Sequence, residues 1–510
     1  MGAGAALMLA FDGDSVPDWM EARIGAWQPA GITLFRGANM SDGATLRRLT
    51  RALQAANRSQ LPLLIATDQE GGQLIALGEI GTPFAGNMAL GAAGETDLAR
   101  RVGHAIGTEL SAVGVNVDYA PVCDVASRPD NPSLGIRSFG DDPAAVGRLA
   151  AAFTLGLQAA GVAATAKHFP GKGEATIDPH YELPVLDLDL ERLDSVELAP
   201  FRDVIRAGVK LIMIGHYALP AITGRRDLPA TLSPDVVDGL LRGRLGFDGA
   251  VITDALDMGA VTGSDGLPDA AAALGAGIDL LLCSQNPDIQ EAVHGTIGAA
   301  SAPARVHGLR RWLGGHHQPP IEVLGCSEHR RLAAEVAARS VTLVRDHARL
   351  LPLDRQSRIM AVMPEPTDLT PADTSSWERP GLASALRRYC RDVTEVVTEH
   401  SPTSATLDAL DAMARDHDVA VVGTVSAGPE QAALVRRLLA TGTPTVAVAL
   451  RTPGDLTLYP HAGTYICTYG LLEPSLTALS DALFGDQPFV GRLPAAINGL
   501  YPTGHRQDER

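Results

Sequence analysis

Long apolar runs, paired cysteines and an excess of positive charge are all missing from this chain of 510 residues. Its longest apolar stretches, such as residues 278–283, are far shorter than the ~20 residues that a membrane-spanning helix needs. The N-terminal residues lack the basic region of a secretory signal. We therefore expect a cytoplasmic protein that does not enter a membrane.

The cysteine spacing and the net charge argue against further classes of protein. Five cysteines are scattered and never form a Cys-x-x-Cys pair, which argues against a disulfide framework or a zinc knuckle. A formal net charge of −17 repels nucleic-acid phosphates and anionic lipids. We expect no nucleic-acid partner, and a neutral small molecule fits this charge better.

Lysine is also scarce, because only three of the 42 basic residues are lysine: Lys167, Lys172 and Lys210. Two of them lie within six positions of each other. Where arginine is the usual cation, a lysine indicates a place that needs a compact ammonium instead of a planar guanidinium. Chance clustering is the alternative interpretation.

The first part of the chain reads as a barrel. Up to about residue 285, short runs rich in Val, Ile and Leu alternate with Ala-rich helical stretches, the pattern of βα units on a parallel sheet. The seven predicted strands are 31–35, 62–67, 115–120, 163–166, 211–215, 250–253 and 278–282. This pattern predicts a (β/α)₈ TIM-type barrel over residues 1–285.

A second domain is predicted after a linker at 286–325, where 301–304 and 314–320 contain residues that break helices. Residues 326–510 are predicted to form a C-terminal α/β sandwich domain. Its predicted strands are 340–344, 358–362, 419–423 and 445–450, and its predicted helices are 330–339 and 430–440. The fold class is therefore α/β with two domains.

Polar clusters follow the predicted barrel strands, where a parallel barrel carries its active face. They begin at Asp68, Asp118, Lys167, His216 and Asp254. One charged residue after a strand is more often a helix cap. Its repetition after several strands predicts an active site.

These clusters form motifs, which occur in one order along the chain. They include Asp-Gln-Glu-Gly-Gly at 68–72, Ala-Pro-Val-Cys-Asp-Val at 120–125, Arg-Ser-Phe-Gly at 137–140, Lys-His-Phe-Pro-Gly-Lys-Gly at 167–173, Asp-Pro-His at 178–180 and Ile-Thr-Asp-Ala-Leu-Asp-Met at 252–258. Together they resemble glycoside hydrolase family 3, in particular its bacterial β-N-acetylglucosaminidase branch. The resemblance continues in the second domain, for example in Arg-Thr-Pro-Gly-Asp-Leu at 451–456.

The resemblance implies a retaining β-glycosidase that needs no cofactor or metal. Asp254 is the implied nucleophile, and His180 is the implied acid/base working with Asp178. Four further side chains are implied to hold the terminal sugar: Asp68, Arg137, Lys167 and His168. Asp124 is left as either a structural residue or one that orders Arg137, and His216 as a possible pocket wall.

The chain departs from the family pattern at four positions near the site. Gln73 and Ala76 stand where the branch usually has arginines, Lys172 replaces a histidine, and Pro179 replaces a serine. These changes leave the nucleophile and the Asp178–His180 pair in place. They put the identity of the sugar in more doubt than the type of reaction.

The most favoured function is an exo-acting β-N-acetylglucosaminidase whose partner is a small carbohydrate or glycoside. The alternatives on the same site are a glycoside phosphorylase, a transglycosidase or a β-glucosidase. A catalytically retired binding protein is the alternative from another class. A metal enzyme using His168, Asp178, His180 and His216 lacks any supporting His-x-x-x-His pair. The sugar, the aglycone and the oligomeric state stay open.

Overall fold

The computed structural model of the chain describes residues 3–262, 267–298 and 304–507. The strands that precede residue 283 are β1 (Leu7–Leu9), β2 (Gly31–Thr33), β3 (Leu64–Thr67), β4 (Gln69–Gly71), β5 (Leu74–Ile75), β6 (Val117–Asp118), β7 (Ala163–Phe169), β8 (Leu211–Ile214), β9 (Ala250–Thr253) and β10 (Leu281–Leu282). All of them except the hairpin β4–β5 form one sheet in the order β10-β1-β2-β3-β6-β7-β8-β9. Neighbouring strands in this order pair in parallel, and a parallel bridge between Ile252 and Leu280 joins its two ends. The predicted barrel is confirmed, and β1 is a strand that the seven predicted runs did not include.

Helices connect the barrel strands and cover the outside of the sheet. They are α1 (Asp18–Trp27), α2 (Arg36–Asn39), α3 (Gly43–Ala56), α4 (Asn87–Ala93), α5 (Thr96–Ala112), α6 (Pro143–Ala159), α7 (Leu190–Arg192), α8 (Ala199–Arg206), α9 (Pro220–Thr223), the π-helix Asp235–Arg244, α10 (Ala270–Gly275), α11 (Pro287–Ile297) and α12 (Ala304–Leu313). Helix α3 shows why they form, because Leu46, Leu49 and Leu53 recur at helical spacing and are buried. Its start is capped by Asp42, whose side chain accepts a hydrogen bond from Thr45 N at 2.9 Å.

The interior of the barrel is an apolar core of its own. Alternate strand residues such as Met8, Leu64 and Ile252 pack together there, while their neighbours face the helices. Val306 and Leu309 of α12 belong to the same core. Helix α12 therefore closes one end of the barrel.

The segment 286–325 is more ordered than a linker. It contains α11 and α12, and the stretch 314–320, which was predicted to break a helix, begins where α12 ends at Leu313. Residues 301–303 of the other predicted break lie outside the described residues. Since α12 packs into the barrel core, we propose that the barrel unit extends to Leu313.

The second domain is built on a sheet of six strands: β11 (Thr342–Asp346), β12 (Ile359–Pro364), β13 (Val393–Thr398), β14 (Val419–Thr424), β15 (Thr445–Ala449) and β16 (Thr464–Cys467). Their order is β11-β16-β15-β14-β12-β13, and the β11–β16 pair is antiparallel. The helices around it are α13 (Ser327–Ser340), α14 (Leu382–Leu386), α15 (Ser404–Arg415), α16 (Pro429–Ala440) and α17 (Glu473–Leu483). Separate apolar clusters lie on the two faces of the sheet, as an α/β sandwich requires.

The strand order of the second domain creates a crevice. Strand β13 lies on one side of β12, and the next strand in sequence, β14, lies on its other side. The strand order therefore reverses between β12 and β14. Loops that leave the carboxyl ends of the strands at such a point commonly form a binding crevice. The loop after β12 reaches the barrel, where Thr374 N donates to Gln73 O. In the described part of the chain, no helix has the length and apolarity needed to cross a membrane.

Candidate active site

A cavity of about 320 Å³ opens at the carboxyl ends of the barrel strands. Asp68 follows β3, Lys167 and His168 lie in β7, and Asp254 follows β9; all four line the cavity. Because parallel strands end on the same face of a barrel, residues separated by up to 186 positions in sequence meet here.

One end of the cavity is a network of buried ion pairs. Lys167 Nζ lies 2.5 Å from Asp68 Oδ1 and 2.6 Å from Glu70 Oε1. Arg137 binds both oxygens of Glu70, with Nε and Nη2 at 2.9 and 2.8 Å. Burial acts to lower the pKa of Lys167, but Asp68 and Glu70 outweigh it and the pKa lies above its usual value. This end therefore holds fixed charges and donors suited to sugar hydroxyls.

Glu70 is the site residue that the sequence analysis did not single out. It bridges Lys167 and Arg137, and its carboxylate is fully buried between them. Burial opposes its ionisation, yet Arg137 and Lys167 hold the pKa of Glu70 well below its usual range. Its position in the Asp-Gln-Glu-Gly-Gly motif was the sequence feature that could have identified Glu70 as a site residue.

Asp124 orders His168 rather than Arg137. His168 Nδ1 lies 2.7 Å from Asp124 Oδ2, and Asp124 Oδ1 accepts a hydrogen bond from the backbone N of Lys172 at 2.9 Å. Burial, together with the positive charges of Lys172 and Arg137, holds the pKa of His168 well below its usual value. A neutral His168 donates from Nδ1 to Asp124, which leaves Nε2 as an acceptor 3.4 Å from Arg137 Nη2.

Asp254 is an ionised carboxylate. Its Oδ1 accepts a hydrogen bond from Ala255 N at 2.8 Å. Burial opposes ionisation, but His168, His216, His180 and then Lys172 lower the pKa of Asp254 to about 2. A buried carboxylate that stays charged at neutral pH meets the requirement for attack on an anomeric carbon.

His216 supports the backbone next to Asp254. Its Nε2 lies 3.0 Å from Ala255 O and its Nδ1 lies 2.7 Å from Thr231 Oγ1. Both ring nitrogens are therefore occupied by the protein. His216 is better described as a residue that stabilises the backbone after strand β9 than as a residue of the pocket wall.

His180 and Asp178 form a tight pair. His180 Nδ1 lies 2.6 Å from Asp178 Oδ1, and the same oxygen accepts a hydrogen bond from the backbone N of His180 at 3.0 Å. Burial acts to raise the pKa of Asp178, but these bonds from His180 outweigh it and the pKa lies below its usual value. The pairing through Nδ1 leaves His180 Nε2 for a substrate.

The loop that carries this pair is tied to the segment after Asp254. Gly259 N donates to His180 O at 3.0 Å, and Ala260 N donates to Pro179 O at 3.3 Å. His180 lines the same cavity as Asp254. The acid/base candidate and the nucleophile candidate are thus held in one place.

Lys172 is buried and also lines the cavity, with a relative exposure of 2%. It forms no ion pair with Asp178 in the described part of the chain, although the two charges influence each other. Burial and then Arg137 lower the pKa of Lys172 to about 8. Lys172 is therefore a buried residue of the cavity wall and not a solvated one.

The second domain contributes part of the cavity wall through the loop after β12: Pro371, Ala372, Asp373, Thr374 and Trp377. Thr374 N donates to Gln73 O at 2.8 Å, and Ile75 N donates to Thr374 Oγ1 at 3.1 Å. Asp373 is held from its own domain by a buried ion pair with Arg451 at 2.7 Å. The loop is thus fixed at both sides.

This loop occupies the surroundings of Gln73 and Ala76, where the family pattern has arginines. A different arginine, Arg36, lines the cavity there and donates to Thr374 O at 3.3 Å. Its guanidinium also lies over the ring of Trp377, 5.3 Å from the centroid. Arg36 therefore supplies a guanidinium group from another part of the barrel.

A wider cleft of about 900 Å³ adjoins the cavity on the side of His180. The two spaces share His180, Ala255 and Met258, and the cleft is also lined by Tyr181, which is 70% exposed. The cavity therefore opens into the wide cleft beside the acid/base candidate.

The predicted site residues therefore lie together. Six of them line the cavity, and Asp178 bonds to His180: Asp68, Arg137, Lys167, His168, His180 and Asp254. In the residues that the structure describes, no group of three or more His, Cys, Asp or Glu side chains is arranged to hold a metal ion.

Known proteins resemble this chain in sequence and fold. Residues 19–306 match the Glycosyl hydrolase family 3 N terminal domain, so the chain is a glycoside hydrolase. It belongs to glycosyl hydrolase family 3, as the sequence motifs predicted.

Relatives match nearly the full chain. The protein is 29% identical to Beta-hexosaminidase A of Pseudoalteromonas piscicida, over 95% of this chain and 92% of that one. It is 32% identical to Beta-N-acetylglucosaminidase/beta-glucosidase of Cellulomonas fimi, over 92% and 91%. The solved glycoside hydrolase family 3 beta-N-acetylglucosaminidase from Paenibacillus sp. str. FPU-7 superposes with a TM-score of 0.91 at 33% identity, covering 97% of this chain and 98% of that one.

Proposed function

We propose that the protein is an exo-acting β-N-acetylglucosaminidase that works through a covalent glycosyl-enzyme. The observation that carries this proposal is the ionised Asp254 in the same cavity as the Asp178–His180 pair. The names of the relatives and of the superposed structure support N-acetylglucosamine as the sugar.

In the first step, Asp254 attacks the anomeric carbon as the glycosidic bond breaks. The leaving oxygen takes the proton from Nε2 of the His180 imidazolium, which becomes neutral imidazole. Asp178 stabilises the imidazolium before transfer because its carboxylate lies 2.6 Å from Nδ1. Asp254 is then an ester of the sugar.

In the second step, water attacks the anomeric carbon and gives its proton to Nε2 of His180. The carboxylate of Asp254 leaves, and the sugar is released with its original configuration. Both displacements use the same two groups, so the histidine alternates between acid and base. A neutral histidine would also admit an anionic acceptor, which keeps phosphorolysis as the competing outcome to be tested.

The shape of the site supports exo action. The Lys167, Arg137 and Glu70 network closes one end of the cavity, and the loop of the second domain forms part of its wall. The open cleft lies beside His180, where the leaving group departs. One terminal sugar fits the closed part, and the rest of the glycoside extends into the cleft.

The test compares chromogenic β-N-acetylglucosaminide, β-glucoside and β-xyloside as substrates. We expect the highest kcat/KM for the N-acetylglucosaminide and no turnover by Asp254→Asn. Each assay is run in phosphate and in an inert buffer, and the product is identified as free sugar or sugar phosphate. A wild-type protein that cleaves none of the three glycosides would contradict the proposed function, and sugar phosphate as the main product would replace hydrolysis by phosphorolysis.

A further inference from the structure

Lys172 is the cation of the cavity that has no anionic partner among the described residues. Apart from Asp254, which accepts a hydrogen bond from Ala255 N, the other charged groups at this site are paired with each other or with a neighbour: Asp68 and Glu70 with Lys167, Glu70 with Arg137, Asp124 with His168, Asp178 with His180, Arg36 with Glu378, and Asp373 with Arg451. Burying an ammonium without a partner raises the free energy of the folded protein unless a ligand supplies a hydrogen-bond acceptor. This points to a contact that forms when substrate binds.

The turn that carries Lys172 is rigidly built. Lys172 N donates to Asp124 Oδ1 at 2.9 Å, and Asn131 Nδ2 donates to Lys172 O at 2.7 Å. A Cβ at Gly173 would lie 2.0 Å from Val125 O, so this position packs directly against another backbone segment. The buried frame fixes where the Lys172 side chain starts and directs it to the cavity.

Lys172 lies at the reactive end of the cavity. It lines the cavity with Asp254 and His180, and its charge acts on both Asp254 and Asp178. Lys167 and Arg137, by contrast, are both held by Glu70. A donor at the Lys172 position therefore meets the sugar close to its anomeric carbon.

The charged groups around the cavity favour a ligand whose hydrogen-bond acceptor carries no charge. When the charged groups that line the cavity are counted together with their ion-pair partners, seven carboxylates stand against five cations: Asp68, Glu70, Asp124, Asp178, Asp254, Asp373 and Glu378 against Arg36, Arg137, Lys167, Lys172 and Arg451. An anionic substituent on the sugar would face this excess of negative charge. A neutral group with a strong acceptor oxygen fits better.

The ring positions next to the anomeric carbon are C2 and the ring oxygen. An ammonium beside the ring oxygen would oppose the positive charge that develops there in the transition state. An ammonium that contacts the C2 substituent does not lie beside the ring oxygen and so does not oppose this charge in the same way. Among neutral substituents, an amide carbonyl accepts a hydrogen bond from an ammonium more strongly than a hydroxyl does.

We propose that Lys172 Nζ donates a hydrogen bond to the carbonyl oxygen of an acylamino group at C2 and thereby selects 2-acylamino sugars over 2-hydroxy sugars. This rests on the proposed glycosidase function. It assigns Lys172 as a specificity-determining residue that also compensates for the missing histidine of the family pattern.

The experiment uses three aryl β-glycosides with the same leaving group, which carry acetamido, hydroxyl or free amino at C2. Lys172→Met removes the charge at similar length. We expect its kcat/KM to fall about tenfold or more on the acetamido glycoside relative to the hydroxyl glycoside. The amino glycoside, whose ammonium Lys172 repels, should gain relative to the hydroxyl glycoside.

Two further variants make the result specific. Lys172→Gln keeps a neutral donor and should retain part of the acetamido preference. Lys210→Met removes a lysine stacked on Trp312, before β8 and away from the cavity, and should leave all ratios unchanged. Thermal unfolding of each variant checks that it is folded.

An unchanged ratio between acetamido and hydroxyl glycosides in Lys172→Met would overturn the inference while leaving the proposed function intact. Equal loss on all three glycosides would also overturn it, because Lys172 would then serve the chemical step and not selectivity. If the wild-type protein cleaves none of the three, the proposed function fails first, and this inference fails with it.

Discussion

The Asp178–His180 pair determines how activity should depend on the leaving group. Replacing His180 with alanine removes the proton donor but leaves Asp254 ionised. We expect a small loss of kcat/KM with nitrophenyl glycosides and a loss of at least ~100-fold with disaccharides, whose leaving groups need protonation. Steady-state kinetics over a series of aryl leaving groups checks this, and equal losses across the series would move the acid role to another residue.

Lys172 determines how selectivity should depend on pH. Its pKa of about 8 means that it is charged below pH 8 and loses its proton as the pH rises above that value. The charge-assisted bond to the acetamido carbonyl weakens with that loss, so the ratio of kcat/KM for acetamido over hydroxyl glycoside should fall above pH 8. Measuring the ratio cancels the titration of groups that act in the same way on both substrates.

The matched control for this profile is Lys172→Met, which should show a low ratio that does not change with pH. A wild-type ratio that is flat between pH 6 and about 10 would contradict the assignment of the charge to selectivity.

At the residue scale, the barrel explains why the sequence could predict which polar residues lie together. Asp68, Lys167 and Asp254 each follow or end a strand, and parallel strands bring such positions to one face. The sequence did not assign Glu70, because a carboxylate inside a motif does not reveal that two cations lie on either side of it. Pairings of this kind depend on distances that only the folded chain defines.

At the scale of elements, the loop after β12 is the feature with the largest consequence. It forms part of the cavity wall and is held by the buried pair of Asp373 and Arg451. Arg451→Met leaves a buried carboxylate without its partner and should destabilise the second domain by ~3 to 5 kcal/mol. It should also raise KM more than it lowers kcat, since the loop contacts the bound sugar and not the reacting atoms.

Chemical denaturation and steady-state kinetics measure these two effects. The control is Arg437→Met on α16, which removes a partly exposed pair with Asp408 and Asp411. It should cost about 1 kcal/mol or less and leave KM unchanged. Wild-type kinetics in a folded Arg451→Met protein would mean that the loop does not shape the site.

Several strands with uniform burial were predicted. Strands β8 and β9 are buried on both faces and read as continuous apolar runs. Strand β16 is also buried throughout but was not predicted, because its four residues include Thr464 and Tyr465 and do not form a long apolar run. Strand β13 was not predicted, because it lies at the sheet edge and only Val393 and Thr398 of its six residues are buried. Strand β1 was not predicted either, since three residues near a chain end give too short a pattern.

At the scale of the whole molecule, the two domains share one site. The barrel supplies the proposed nucleophile, the proposed acid/base pair and the buried ion-pair network, and the second domain supplies a wall. Buried and half-buried pairs connect the domains elsewhere, including Glu109 with His329 at 2.8 Å and Arg101 with Glu335 at 2.7 Å. The contribution of the second domain could not be predicted from local patterns, because it depends on how two separate cores pack against each other.

The central claim is that Asp254 forms a covalent bond to the sugar. A fluorinated N-acetylglucosaminide that reacts quickly and hydrolyses slowly should accumulate the glycosyl-enzyme, and peptide mass mapping then locates the label. The account predicts one label per chain, on the peptide that contains Asp254, and no label in Asp254→Asn. A label on a different residue, or a turnover-competent protein that never accumulates one while releasing sugar of inverted configuration, would contradict it.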